Sequence, residues 1–145
     1  MTSKKLLLQK AVQKIATLID FDMPCLVTGR TRNNVGGHIF GKGAHPECRF
    51  NLHNIHRQDF FSNGSGQDDQ KMKDGIKREY GENYYNRIVD LANKPIPKLS
   101  EKDYESAYKS ALIVIDAYST IRVRQTTGSR ILLRERVNKM IGIYE

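Results

Sequence analysis

Three polar side chains in one irregular stretch of the sequence could together hydrolyse a phosphodiester bond. His38 follows two glycines, Asn54 comes sixteen residues later, and Asn63 follows after nine more. A histidine near its ordinary pKa can take a proton from water at neutral pH, and asparagine oxygens can orient an imidazole or bind a hard divalent cation. The alternative interpretation is a histidine hydrogen-bonded within the fold and asparagines that cap turns.

The elements that must position these residues are helices on both sides of an irregular segment. Residues 25–66 lack helical periodicity and hold seven of the eleven glycines, which predicts loops with short strands. Apolar residues at helical spacing predict an amphipathic helix over 4–20. Four later helices are predicted. The first begins at Asp68 and Asp69 and ends at Tyr80-Gly81, the second covers 84–91, and the third runs from Ser100 to 115. The last carries an apolar stripe of Leu133, Val137, Met140 and Ile141. We therefore divide the chain into an N-terminal helix (1–21), a core (22–92) and a helical extension (93–145).

The composition is that of a soluble, basic domain. The chain has 145 residues, with 24 Lys and Arg against 16 Asp and Glu, for a formal net charge of +8. The sequence has no run of about 18 apolar residues and no signal-peptide pattern, so we expect a cytoplasmic protein without a membrane partner. Cys25 and Cys48 are too few for a disulfide framework or a four-cysteine zinc site.

The positive charge is concentrated in three parts of the chain. Residues 1–20 hold four lysines and one aspartate, and residues 120–145 hold six basic and two acidic residues. Residues 30–63 hold five basic and two acidic residues. Such clusters suit a phosphate backbone, although solvated helix faces would give the same pattern at the two ends.

The order of residues in the irregular segment resembles the phage lambda NinG (Rap) recombination nuclease family and, more broadly, the HNH or ββα-metal endonucleases. The resemblance covers about residues 22–92. It is carried by Cys25, Gly29, Gly37-His38, Arg49-Phe50, Asn54, Gln58, Asn63, Ser65-Gly66 and Tyr80-Gly81.

The resemblance implies an α+β fold with a ββα-metal core, a small β-hairpin plus a helix, flanked by N-terminal and C-terminal α-helices. It further implies that His38 is the general base, that Asn54 positions the loop and the imidazole, and that Asn63, together with His38, belongs to the metal site. The cation would be Mg²⁺ or Mn²⁺, stabilising charge on the phosphate in the transition state.

The expected function is therefore that of a metal-dependent DNA endonuclease, and its substrates could be branched recombination intermediates such as Holliday junctions or D-loops. Two alternatives stay open. The chain could be an inactive HNH-fold module that only binds DNA, or it could be a nicking endonuclease tolerant of sequence. A phage-encoded enzyme would act in the host cell cytoplasm, and a homodimer is possible.

The sequence departs from the family pattern at its metal positions. The family has four zinc cysteines, whereas this chain keeps Cys25 and has Thr28, Asp59 and Ser62 at the other three positions. We therefore expect no structural zinc. Instead of zinc, apolar packing by Leu26, Phe60 and Phe61 is expected to hold the hairpin. Gly37 stands where many HNH enzymes have a metal ligand, so His53, His56 or Asp59 could substitute as weaker candidates.

Basic residues of the core supply the candidate DNA contacts. Arg49 could hold a phosphate or pair with a carboxylate, and Lys42 lies in a glycine-rich turn that suits a backbone-phosphate contact. The other candidates are Arg30, Arg32 and Arg57.

Overall fold

The computed structural model describes residues 3–31, 33–60 and 69–144. Its regular elements form an α+β fold with a two-stranded antiparallel sheet. The strands are β1 (Asn34–His38) and β2 (Ile55–Asp59). The helices contained in the described residues are α1 (Lys4–Ile19), α2 (Asp69–Tyr80), α3 (Glu82–Ala92), α4 (Glu101–Tyr118) and α5 (Thr127–Ile141). None of these helices is long and apolar enough to cross a membrane.

Helix α1 is the centre of the larger core. The Ser3 side chain accepts a hydrogen bond from the backbone N–H of Leu6 and so caps its first turn. Its buried stripe of Leu8, Val12, Ile15 and Ile19 confirms the helix predicted from apolar spacing. That stripe packs on α4, whose Ala107, Ala111 and Val114 are buried in the same core. The small alanines on α4 allow the two helices to approach closely.

The hairpin lies directly against α1. In its register, His38 stands opposite Ile55, and Gly36 stands opposite Arg57. A Cβ atom at Gly36 would lie 2.6 Å from the Gln13 carbonyl oxygen, so only glycine allows this approach of strand and helix. The Gln13 side chain also donates a 2.7 Å hydrogen bond to the Gly36 carbonyl. Position and orientation of β1 are therefore set by α1.

Helices α2 and α3 form a second, smaller core with the turn after residue 25. Leu26, Ile39, Met72, Ile76 and Ile88 are buried together there. The backbone φ of Gly81 is +92°, a value that glycine adopts readily, and the break between α2 and α3 at this residue confirms the predicted helix end.

Helix α5 buries two arginines beside most of the apolar stripe predicted for it. Val137 and Ile141 are buried as expected, but Met140 is 49% exposed. Arg130 and Arg134 are also buried, because both form ion pairs with Asp20 at the end of α1. These two arginines are therefore not part of a basic surface at the C-terminal end of the chain.

Candidate functional site

The imidazole of His38 lies at the end of β1 and is held in one tautomer. Its Nε2 atom is 2.7 Å from the carbonyl oxygen of Arg49. A carbonyl oxygen can only accept, so Nε2 carries the proton and, in the neutral ring, Nδ1 carries the lone pair. Burial lowers the pKa of His38, and the charges of Lys42 and Arg49 lower it further, against a partial opposing effect of the Arg49 carbonyl. His38 is therefore neutral at pH 7, with Nδ1 able to accept a proton.

Asn54 fastens the loop that carries this carbonyl. Its side-chain oxygen accepts a 2.9 Å hydrogen bond from the Phe40 N–H, and its Nδ2 donates to the carbonyls of Phe40 and Cys48 at 3.0 and 3.3 Å. The Asn54 backbone carbonyl also accepts a hydrogen bond from the Ile39 N–H. These bonds join the residues after β1 to the turn that precedes Arg49.

Gln9 of α1 gathers two of the basic side chains near His38. Its Oε1 accepts a 2.7 Å hydrogen bond from Arg49 Nε and lies 3.4 Å from Lys42 Nζ. Arg49 also lies over the Phe50 ring, with 5.5 Å between the guanidinium carbon and the ring centroid. Sequence reasoning missed Gln9, because a single glutamine in an amphipathic helix gives no signal of what it contacts.

The weaker metal candidates are engaged in the fold. His53 Nδ1 lies 2.8 Å from the Tyr84 hydroxyl, and His56 Nε2 donates to the His53 carbonyl at 3.0 Å. Burial lowers the pKa of His53 to about 3 and that of His56 well below its usual value. The Asp59 carboxylate is 3.6 Å from Arg30 Nη1. Within the described part of the chain, no three His, Cys, Asp or Glu side chains group in a way that could hold a metal ion.

The candidate DNA contacts differ in how far they are exposed. Arg57 is buried, and its two terminal nitrogens each donate a 2.8 Å hydrogen bond to Glu79, so its guanidinium is committed to an internal ion pair. The Arg30 side chain is 67% exposed, and Lys42 is exposed at the surface of the loop. Asn63 and Arg32 lie outside the described residues, so the position of the predicted metal ligand is not described.

Comparison with known families gives a match over most of the chain. The sequence model of the family described as Bacteriophage Lambda NinG protein matches residues 3–110, which is most of the chain. The chain belongs to the NinG family. Proteins of this phage family are associated with recombination. Neither the curated proteins nor the solved structures contain a match to this chain.

The NinG match begins before α1 and ends within α4, so α5 and the residues after it lie beyond the matched region. This C-terminal segment nevertheless fastens the loop that carries Arg49. The Tyr144 hydroxyl donates to the Glu47 carbonyl and accepts from the Phe50 N–H. Arg134 donates to the carbonyls of Leu52 and Ile55. Sequence reasoning missed these anchors, which join residues about ninety positions apart.

Cys25, for which the family resemblance implied a place in a zinc site, is the centre of a hydrogen-bonded turn. Its Sγ accepts backbone hydrogen bonds from Val27, Thr28 and Asp59 at 3.3, 3.4 and 3.0 Å. Burial raises the pKa of the Cys25 thiol, but the hydrogen bonds outweigh that effect and leave the pKa below its usual value. These bonds join the turn to the end of β2.

The apolar packing expected at this place is present only in part. Leu26 is buried in the smaller core, whereas Phe60 is 61% exposed, so the prediction that Phe60 packs under the hairpin is wrong. Phe61 and Ser62 lie outside the described residues. The absence of a structural zinc stays a prediction.

Proposed function

We propose that this NinG-family chain is a metal-dependent DNA endonuclease of the HNH type, acting on branched recombination intermediates in the host cell. The observation that carries the proposal is the His38 hydrogen bond to the Arg49 carbonyl. That bond leaves Nδ1 as the acceptor and holds the ring in a fixed direction, which are the two requirements for a general base that removes a proton from water.

His38 has one nitrogen left for chemistry, and this limits the roles proposed for it. With Nε2 bound to Arg49, Nδ1 can take a proton from water or bind a cation, but it cannot do both at once. We assign it the role of base. Asn54 acts as a positioning residue, since its side chain fastens the two ends of the loop and touches no atom that would react.

A divalent cation such as Mg²⁺ would supply charge neutralisation at the phosphate when bound. The described residues alone do not supply its ligand set. Residues beyond them, with Asn63 as the predicted ligand, would have to complete it. No step of the proposal for His38 depends on the geometry of that cation.

The basic side chains around the imidazole support DNA as the substrate. Lys42 and Arg49 share one acceptor, Gln9 Oε1, and so present two positive charges close to His38. A phosphodiester group brought to this position would be attracted by both charges. The exposed Arg30 side chain lies near the start of β1 and could extend the contact along the backbone of the DNA.

A second candidate function is that of a DNA-binding module that has lost catalysis. The lack of a metal-binding cluster among the described residues favours it. The two functions share the basic surface and differ in whether a bound phosphodiester is hydrolysed.

The test is cleavage of a synthetic four-way junction and of a supercoiled plasmid with Mg²⁺ or Mn²⁺. We expect wild type to cleave, and we expect His38→Ala to cleave about 10²-fold to 10⁴-fold more slowly while binding DNA equally well. His45→Ala is the matched control, since His45 lies in the same loop but contacts the Ala92 carbonyl rather than Arg49. If wild type cleaves neither substrate with any metal yet binds both, the binding module is the correct function.

A further inference from the structure

A cavity of about 180 Å³ lies between α3, the linker that follows it and the end of α5. Its walls are mixed, with apolar side chains such as Leu91, Ile96 and Ile143 beside polar and charged ones. Two side chains in its lining, Asn51 and His53, are only 1% and 2% exposed. None of these residues takes part in the hydrolysis proposed for His38.

The amide of Asn51 has a fixed orientation. Its Oδ1 accepts from the backbone N–H of His53 at 2.9 Å and from Asn138 Nδ2 at 2.8 Å. The Asn138 amide is itself fixed, because its oxygen accepts from the Leu52 backbone N–H. Asn51 Nδ2 therefore points away from these bonds and has no partner among the described residues. It offers N–H groups to the cavity.

His53 offers a second donor. The buried Tyr84 hydroxyl stays protonated, since burial raises its pKa, and its one acceptor in the described part of the chain is His53 Nδ1 at 2.8 Å. Tyr84 therefore donates to Nδ1, and the neutral imidazole carries its proton on Nε2. The buried lining of the cavity thus presents N–H donors from Asn51 and His53.

Basic side chains complete the cavity. Arg87, Lys94 and the acidic Glu135 line it, and Arg87 is paired with Glu135 at 2.9 Å in a partly exposed ion pair, so Lys94 carries the net positive charge of the lining. Lys94 is exposed and has no ion pair within the described residues. A ligand that fits must therefore present hydrogen-bond acceptors to the buried end, an apolar body to the walls and a negative group to the basic residues.

We propose that this cavity binds a pyrimidine nucleotide whose base carries keto oxygens, as thymine and uracil do. The keto oxygens would accept from Asn51 and His53, the ring would pack on the apolar side chains of the walls, and the phosphate would lie at Lys94 and Arg87. The volume is below the roughly 300–1,000 Å³ of sites for larger ligands, which suits a single pyrimidine ring. The same chemistry is available from a free nucleotide and from a base turned out of a DNA strand.

Isothermal titration of the full chain without divalent metal tests the site independently of nuclease activity. We expect dTMP to bind more tightly than dCMP, whose 4-amino group is a donor, and more tightly than inorganic phosphate. Equal affinity for dTMP and dCMP, phosphate binding as tight as that of dTMP, or no dTMP binding at all overturns the proposal.

Two variants locate the binding. Asn51→Asp keeps the acceptor for His53 and Asn138 but replaces the free donor by an oxygen, so we expect a loss of dTMP affinity of at least about tenfold. Lys94→Gln is exposed and should fold normally, and we expect it to weaken dTMP binding about threefold. Lys98→Gln, on the same linker but outside the cavity lining, is the control and should bind as wild type does. If Lys94→Gln and Lys98→Gln both match wild type, the nucleotide binds elsewhere and the proposal fails.

Competition between dTMP and a DNA strand distinguishes a free nucleotide from a base of DNA as the occupant. If the occupant is a base of DNA, a short oligothymidine strand binds at least as tightly as dTMP and is displaced by it. If the occupant is a free nucleotide, dTMP binding is unchanged by a saturating amount of the same strand. Both results support the site and differ only in what it serves.

Discussion

The Nε2 atom of His38 and the backbone carbonyl oxygen of Arg49 lie 2.7 Å apart, across the loop that joins the two strands of the hairpin. Because the acceptor is a backbone atom, the tautomer of His38 depends on the position of the loop rather than on a second side chain. The loop in turn is fastened by Asn54, by Gln9 of α1 and by Tyr144 after α5. Elements far apart in the sequence thus together hold the proton of His38 on Nε2.

The pH dependence of cleavage should reflect the lowered pKa of His38. A base acts in its neutral form, and the folded pKa lies below 6.5, chiefly because of burial. The neutral imidazole is therefore the major form at pH 6.5 and above, and it gives way to the protonated form only at more acidic pH. We expect kcat/KM for junction cleavage at saturating metal to have its acidic inflection below 6.5. An inflection above 6.5 would contradict the assignment of His38 as the base in this environment.

Gln9→Glu should change both DNA binding and this inflection. A carboxylate at Gln9 would still accept from Arg49 and Lys42, but it would neutralise charge that now lowers the pKa of His38. We expect the acidic inflection to move upward. We also expect DNA affinity to fall, with the slope of log K against log salt concentration reduced by about 1.

The control for Gln9→Glu is Lys42→Gln, which removes one positive charge without adding a carboxylate. Because the charge of Lys42 lowers the pKa of His38, this change should also weaken DNA binding and raise the inflection. If Gln9→Glu leaves both the salt slope and the inflection unchanged, Lys42 and Arg49 do not face the DNA.

Patterns carried by neighbouring residues predicted the helices well, and contacts across the chain account for what was missed. The stripe of α1 and the helix end at Gly81 depend on local spacing and backbone conformation, so the sequence contains them directly. The buried arginines of α5 could not be predicted in this way. Arg134 is stabilised inside the core by Asp20, which lies 114 positions earlier in the chain. The pairing of His53 with Tyr84 is likewise invisible until α3 packs beside the loop.

Arg134→Met should destabilise the fold strongly. Arg134 Nη2 lies 2.7 Å from Asp20 Oδ2, and both side chains are fully buried. Removing the arginine leaves the Asp20 carboxylate without its nearest buried partner, which we expect to lower the free energy of unfolding by about 3–5 kcal/mol. Urea denaturation at pH 7 measures this loss. Arg136→Met, two positions away and exposed, should stay within about 0.5 kcal/mol of wild type.

Asn54→Asp tests the positioning role of Asn54, because it keeps the size of the side chain but removes its N–H donors. The new carboxylate would place an oxygen against the carbonyls of Phe40 and Cys48, where Asn54 Nδ2 now donates. We expect a loss of about 3 kcal/mol in the free energy of unfolding and slower cleavage by the protein that remains folded. Asn86→Asp, at an exposed position within α3, is the control and should change neither quantity. A fully active, fully stable Asn54→Asp protein would contradict the loop-fastening role.

The protein should lose stability in mild acid because two buried histidines stay neutral when folded. The pKa of His53 is about 3, mainly because of burial, whereas an unfolded histidine titrates near 6.5. The unfolded chain therefore binds more protons between these values, and stability falls as pH decreases below about 6.5. His53 alone accounts for a loss of about 2 kcal/mol between pH 7 and pH 5, and the lowered pKa of His56 acts in the same direction. Urea denaturation at the two pH values should show a smaller difference for His53→Gln than for wild type. Equal differences in the two proteins would mean that His53 does not titrate with unfolding.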